Sequence, residues 1–255
     1  GTRMIKKTHL AAALAALALS GQAWSATFVN GGFEDGNLNG WTGGGGTWFG
    51  SPAAPVDPAN YIGGTPNNTI MSVGTDPITG ANTVYGGSYS VRVNDSVNNR
   101  SVSTLTQSVT NYTDNSIFFA WNAVLEDSHN LTDSDYFSLT LVDNTAKTTL
   151  VSRAYSSAGA IGGGAQGVTW TQYGNWYSSG WVVEQIDLVA LGAVGHDFTL
   201  TLLASDCPYS GHAGYVYLDG FGAVNPPPGG NVPVPGGLAL LGIGALGLSL
   251  VRRKR

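Results

Sequence analysis

The chain has 255 residues, 42% apolar and only 11% charged, with 37 glycines and a formal charge of −5. So few charges, against roughly 25% in an ordinary soluble domain, exclude a fold built from charged amphipathic helices. Seven of the 11 basic residues crowd the two ends, so the middle sets 16 acids against Arg92, Arg100, Lys147 and Arg153 alone, a net −12 that excludes nucleic acid as a partner and suits hard cations.

Met4 opens the basic stretch Ile5-Lys6-Lys7, followed by an apolar run over 10–19 and the small-residue patch Gln22-Ala23-Trp24-Ser25-Ala26. This is the order of a secretory signal, which places the cut between Ser25 and Ala26 and makes 1–25 a signal helix. Asn30-Gly-Gly-Phe33-Glu34-Asp35-Gly36 and Gly40-Trp41 then open the mature chain. Residues 42–81 are rich in Gly, Pro, Asn and Thr, with Trp48, Phe49 and Tyr61 scattered through them, and are expected to form long loops.

Short β-rich runs follow at the spacing of a sandwich: 89–93, 102–109, 117–125, 136–142, 148–155, 168–173, 181–187, 197–204 and 215–224. Asn-Asn, Asp-Asn, Gly-Gly and Ser-Gly pairs between them supply turn chemistry. Apolar and polar residues alternate in Tyr136-Phe-Ser-Leu-Thr-Leu-Val142 and Phe198-Thr-Leu-Thr-Leu202, as on a strand with one face buried. Residues 156–167 read as a second Gly-rich loop, and no helical period competes within the body, 26–224. The fold class expected is therefore all-β.

Asn225-Pro-Pro-Pro-Gly-Gly-Asn231 cannot continue a strand ladder and reads as a linker, 225–231. Val232-Pro233-Val234-Pro235 comes next, then an apolar segment over 236–251 and Arg252-Arg253-Lys254-Arg255. Sixteen helical residues at about 1.5 Å each reach about 24 Å, slightly short of a ~30 Å hydrocarbon core, and terminal basic residues keep the end cytoplasmic.

The Pro-containing tetrapeptide, short apolar helix and basic terminus of 232–255 resemble the PEP-CTERM sorting domain, with Val234 where that signature usually has Glu. This resemblance implies an exosortase as partner, transient insertion of the tail as a transmembrane-type helix in the inner membrane, and delivery to the surface or exopolysaccharide matrix of a Gram-negative bacterium. The body resembles carbohydrate-binding and galactose-binding-like jelly rolls, through Asn30…Phe33-Glu34…Gly40-Trp41, Gly87-Ser-Tyr-Ser-Val-Arg-Val93, Leu105-Thr-Gln107 and Tyr215-Val-Tyr-Leu218-Asp219-Gly-Phe221. It implies a jelly-roll β-sandwich in which neighbouring first and last strands bring Glu34 and Asp219 together on a structural Ca2+, with Asn30 as a third ligand. Two carboxylates held together far from Lys or Arg repel, and a hard divalent cation relieves that repulsion.

Sugar rings pack their apolar faces on aromatic planes. Trp48 and Phe49 in their Gly-rich loop, or Trp176 and Tyr177 within the set Trp170, Tyr173, Trp176, Tyr177 and Trp181, are the candidates for that contact; core packing is the alternative use of the same residues. No Gly-x-Ser-x-Gly elbow or His-Glu-x-x-His site is present, so no catalytic residue is assigned. The pairs Glu126-Asp127 and Asp133-Asp135 serve glycoside hydrolysis only if the fold sets them at the required separation. Cys207, the only cysteine, reads as a small buried hydrophobe, and His212 as a loop residue. Glycan binding by a non-enzymatic exported protein is the leading expectation, beside a glycan-active hydrolase or lyase and a purely structural or adhesive matrix protein.

Overall fold

The computed structural model describes residues 27–48, 57–130, 133–160 and 167–222. The signal segment, the linker, the sorting tail and Phe49 lie outside them. No described helix is long and apolar enough to cross a membrane.

The body is an all-β sandwich. Its described strands are β1 (Thr42–Thr47), β2 (Asn68–Ser72), β3 (Tyr89–Val93), β4 (Ser101–Val109), β5 (Ser116–Glu126), β6 (Tyr136–Asp143), β7 (Thr148–Ser156), β8 (Thr171–Tyr173), β9 (Trp176–Ser178), β10 (Val182–Asp187), β11 (Phe198–Ser205) and β12 (Gly214–Gly222). One antiparallel sheet has the order β1-β4-β11-β6-β7. The other runs β2-β3-β12-β5; the far edge of β5 is shared by β10 and β9, and β8 lies beyond β9. The chain changes sheet between β1 and β2, β3 and β4, β4 and β5, β5 and β6, β7 and β8, and on both sides of β11, as in a jelly roll.

Alternation decides which side chains face inward. Phe137, Leu139 and Leu141 of β6 and Phe198, Leu200 and Leu202 of β11 are buried, and meet Phe119, Trp121 and Leu125 of β5 and Val216 and Leu218 of β12. The open side between β7 and β10 is closed by charge. Arg153 on β7 donates from Nε and Nη2 to the two Glu184 oxygens, each at 2.8 Å, and Trp121 Nε1 donates to the same carboxylate at 3.1 Å.

The stretch 42–81 is not all loop. β1 is Thr-Gly-Gly-Gly-Gly-Thr, which has no intrinsic strand preference, yet it pairs with β4 from Thr42↔Thr106 to Thr47↔Ser101. Its glycines admit the 57–67 segment on both faces: a Cβ on Gly44 would stand 2.2 Å from the Tyr61 carbonyl oxygen, and one on Gly45 2.3 Å from that of Thr65. β2 likewise forms by pairing with β3, although its sequence, Asn-Thr-Ile-Met-Ser, is flanked by turn residues. Trp176–Ser178 was not expected as a strand, and the run expected at 168–173 is extended only from Thr171, because Val168 and Trp170 turn into the core. A one-turn helix, α1 (Ser157–Ala160), begins the second Gly-rich loop, and α2 (Leu188–Leu191) is capped by Asp187 and by Gly192 in the left-handed region.

Candidate functional site

The opening motif is a chain of turns, not a strand, and it meets β12 end-on: Phe221 N–H donates to the Gly31 carbonyl at 3.0 Å. Glu34 and Asp219 converge on one loop. Asp219 Oδ2 accepts from Tyr85 and Gly86 N–H at 2.8 and 3.0 Å, while Glu34 accepts from Ser88 and Tyr89 N–H at 3.0 and 3.1 Å. Burial, against those N–H bonds and with the Glu34 charge beside it, pushes the Asp219 carboxyl up to about 7. A Cβ on Gly32 would fall 3.8 Å from Glu34 Cγ and 4.0 Å from Asp219 Oδ1, so the missing side chain leaves a small cradle between the two carboxylates. Hard oxygen donors around such a cradle fit a calcium ion, although no three His, Cys, Asp or Glu among the described residues form a metal-binding group. Asn30 is turned elsewhere: its Nδ2 donates to the Asn37 carbonyl at 2.8 Å and its Oδ1 accepts from Asp35 N–H.

Among the described strands, the outward positions of the five-stranded sheet carry no charged residue. In register across all five strands lie Thr42, Thr106, Thr201, Thr140 and Ser152, one hydroxyl per strand. Neighbouring strands stand about 4.8 Å apart, so the row repeats at that interval. Thr106 Oγ1 donates to the Leu200 carbonyl at 2.8 Å and lies 3.2 Å from Thr201 Oγ1; Ser108 and Thr199 pair at 2.7 Å in the next row. Beside the row, Val102 and Leu203 carry an aromatic patch of Trp48, Tyr61 and Tyr136, all half-buried. The short 3-10 turn Pro58–Tyr61, capped by Asp57, seats Tyr61 there. Only Trp48 of this patch was expected; Tyr136 was legible as an outward residue of an alternating strand, while Tyr61 depends on the packing of its turn against β1.

The opposite outer face, on the seven-stranded sheet, is covered. The loop after β2 folds over it and is pinned by Asp76, whose Oδ2 accepts from the hydroxyls of Tyr215 and Tyr217 at 2.6 and 2.7 Å while Oδ1 accepts from Thr79 N–H at 2.7 Å. Burial alone raises the Asp76 carboxyl, but the bonds from Tyr215, Thr79 and Tyr217 outweigh it and hold it below its ordinary value. Trp176 and Trp181 stay half-exposed at the rim, against Tyr215 and Tyr217. Tyr177 on β9 and Trp170 just before β8 are core residues, the packing use that stood as the alternative for them, and offer no ring to a sugar.

The acid pairs, His129 and His212 collect at the end of β5, whereas His196 pairs with Asp143 at 2.7 Å. Glu126, Asp127, Ser128, His129, Asn175 and His212 line a cavity of about 350 Å³. The His129 and His212 rings meet edge-on at 4.6 Å. Behind them Asp133 stands between His129 Nδ1 and Cys207 Sγ, 2.7 Å from each. With a carboxylate rather than an imidazole next to the sulfur, the thiol is not activated; burial and that bond push it up to about 12. Burial also raises Asp135 and Asp206.

No protein-family model and no curated protein sequence matches the chain. Among solved structures it is similar to the carbohydrate-binding module CBM61 in complex with β-1,4-galactotriose, at 12% identity and TM-score 0.40 over 77% of this chain and 96% of that one. It is similar also to CBM27-1 of Caldicellulosiruptor saccharolyticus in complex with mannohexaose, at 12% identity and TM-score 0.37 over 77% and 94%. The enzymatically active domain of tailspike protein 4 of bacteriophage CBA120 matches at 11% identity and TM-score 0.33, over 76% of this chain and 20% of that one. Likenesses this distant carry no inference about the site, which rests on this chain's own residues.

Proposed function

We propose that the protein is an exported, non-enzymatic glycan-binding sandwich that associates with exopolysaccharide through the outer face of its five-stranded sheet. The observation that carries the reading is the in-register hydroxyl row Thr42-Thr106-Thr201-Thr140-Ser152 beside the aromatic patch of Trp48, Tyr61 and Tyr136. Hydroxyls at about 4.8 Å intervals offer donors and acceptors to an extended chain lying across the strands, and half-buried rings offer planes for the apolar face of a sugar. A face without charges suits a neutral polymer. The signal at 1–25 and the tail at 232–255 support export, handling by an exosortase and display outside a Gram-negative cell; that part of the proposal rests on sequence alone. Calcium belongs to the same proposal: Glu34 and Asp219 would hold it, and it would offset the repulsion between them and fix the 85–89 loop.

Affinity electrophoresis of the purified protein in its host's extracellular polysaccharide tests the reading. Retardation is expected, and Trp48→Ala with Tyr136→Ala should weaken it at least tenfold, about 1.4 kcal/mol. Sugar release in the same experiment would favour a hydrolase or lyase, and absence of retardation a structural or adhesive protein without sugar affinity.

A further inference from the structure

A second site of different chemistry lies outside that face. The cavity at the end of β5 draws its walls from three separate parts of the chain: Glu126, the last residue of β5, with Asp127 to His129 after it, Asn175 in the turn between β8 and β9, and His212 before β12. Among the described residues no lysine or arginine lines it, so its two carboxylates face no fixed positive partner in the described wall. The walls are also held in place. Glu126 Oε2 accepts from Ala213 N–H at 2.9 Å, which ties the β5 end to the His212 loop, and the Asp127 N–H bonds to the Asn175 carbonyl. Asp133 orients the His129 ring through Nδ1. The His212 Nδ1 is itself buried with no hydrogen-bond partner, so the ring meets the cavity by its edge and not through that nitrogen.

The occupant follows from these features. A volume of about 350 Å³ stands at the small end of ligand pockets, which run from roughly 300 to 1,000 Å³. Carboxylate, amide and imidazole groups together match the adjacent hydroxyls of a single sugar ring, and the paired carboxylates add a preference for positive charge, while the Ser128 hydroxyl is held by Ser134 and Ser157. We infer that this cavity binds a sugar carrying a protonated amine, a hexosamine without its N-acetyl group, as a free sugar or as the end of a chain.

The test titrates the purified protein with glucosamine, N-acetylglucosamine and glucose, reading the His129 and His212 ring resonances by NMR and the heat by calorimetry. Glucosamine should shift both rings and bind at least tenfold more tightly than either neutral sugar. Glu126→Gln keeps an acceptor for Ala213 and removes the charge, so it should weaken glucosamine at least tenfold; Asp127→Asn provides a second charge-neutral variant should the first misfold. Equal responses to the three sugars, a glucosamine response unchanged in both variants, or ring shifts produced by Zn2+ but by no sugar would each overturn the assignment.

Discussion

Asp219 is 1% exposed, and its carboxyl is raised to about 7. The folded state therefore holds that proton more tightly than the unfolded chain, whose aspartates titrate near 3.9. Ionising the group opposes folding, so in calcium-free buffer this residue makes stability fall as pH rises from about 4 through 7. The expected outcome is a higher melting temperature at pH 5 than at pH 8, with that component lost in Asp219→Asn, which keeps an acceptor for Tyr85 and Gly86. Calcium should act in the opposite window: at pH 8 it raises the melting temperature by binding the native state alone, a gain of about 2.7 kcal/mol at a hundredfold excess over its dissociation constant. Glu34→Gln should abolish the calcium response, and an unchanged melt on chelation of the parent protein would remove the metal from the proposal.

Among elements, the loop over the seven-stranded sheet has its stability concentrated in one side chain. Asp76 is 2% exposed and accepts from two tyrosine hydroxyls and the Thr79 backbone and hydroxyl. Asp76→Ala leaves two buried phenols without an acceptor, at about 1–3 kcal/mol for each unsatisfied group. Denaturant unfolding should show a loss of about 3 kcal/mol, and amide exchange should speed up in the loop while β6 and β11 stay protected. Strand β1 carries the opposite dependence: its glycines are required by the 57–67 segment packed on it. Gly45→Ala drives a Cβ against the Thr65 carbonyl, and such overpacking costs about 1–3 kcal/mol. It should also weaken glycan retention, since Tyr61 sits on that segment.

At the scale of the whole molecule, the two sheets are joined by apolar packing through most of their area and by a charged clasp at the open side. Glu184 is nearly buried and carries both Arg153 and the Trp121 indole, so Glu184→Ala leaves a partly buried guanidinium and an indole N–H without their acceptor. Breaking a buried pair from one side costs about 3–5 kcal/mol; the partial exposure of Arg153 argues for the lower end, and a fall of about 3 kcal/mol in chemical denaturation is expected. The double variant Arg153→Met with Glu184→Leu should recover part of the loss, because no unpaired charge then remains. The hydroxyl face is also a property of the whole sheet. Thr140→Val should leave the melt nearly unchanged and weaken polysaccharide retention, whereas an equal loss of both would assign the row to folding alone.

Alternation in β6 and β11, turn residues between runs and the scarcity of charge were enough to predict an all-β body, because burying one face of a strand requires period-two patterning that any reader of the chain can see. The pairing of Glu34 with Asp219 was legible only through the likeness of short motifs, and the structure brings them together by a turn meeting the end of β12. What composition could not show is which long-range contacts make a weak strand former extended: β1 is a strand because β4 and the 57–67 segment hold it, and β2 because β3 does. The face of each aromatic was equally out of reach, so sugar contact and core packing both stayed open for Tyr177 and Trp170, and Tyr61 had no assigned role. Side-chain period is written locally, but strand register, sheet order and the meeting of Glu126, His129 and His212 are set by contacts among residues far apart in sequence, and only the folded chain decides those.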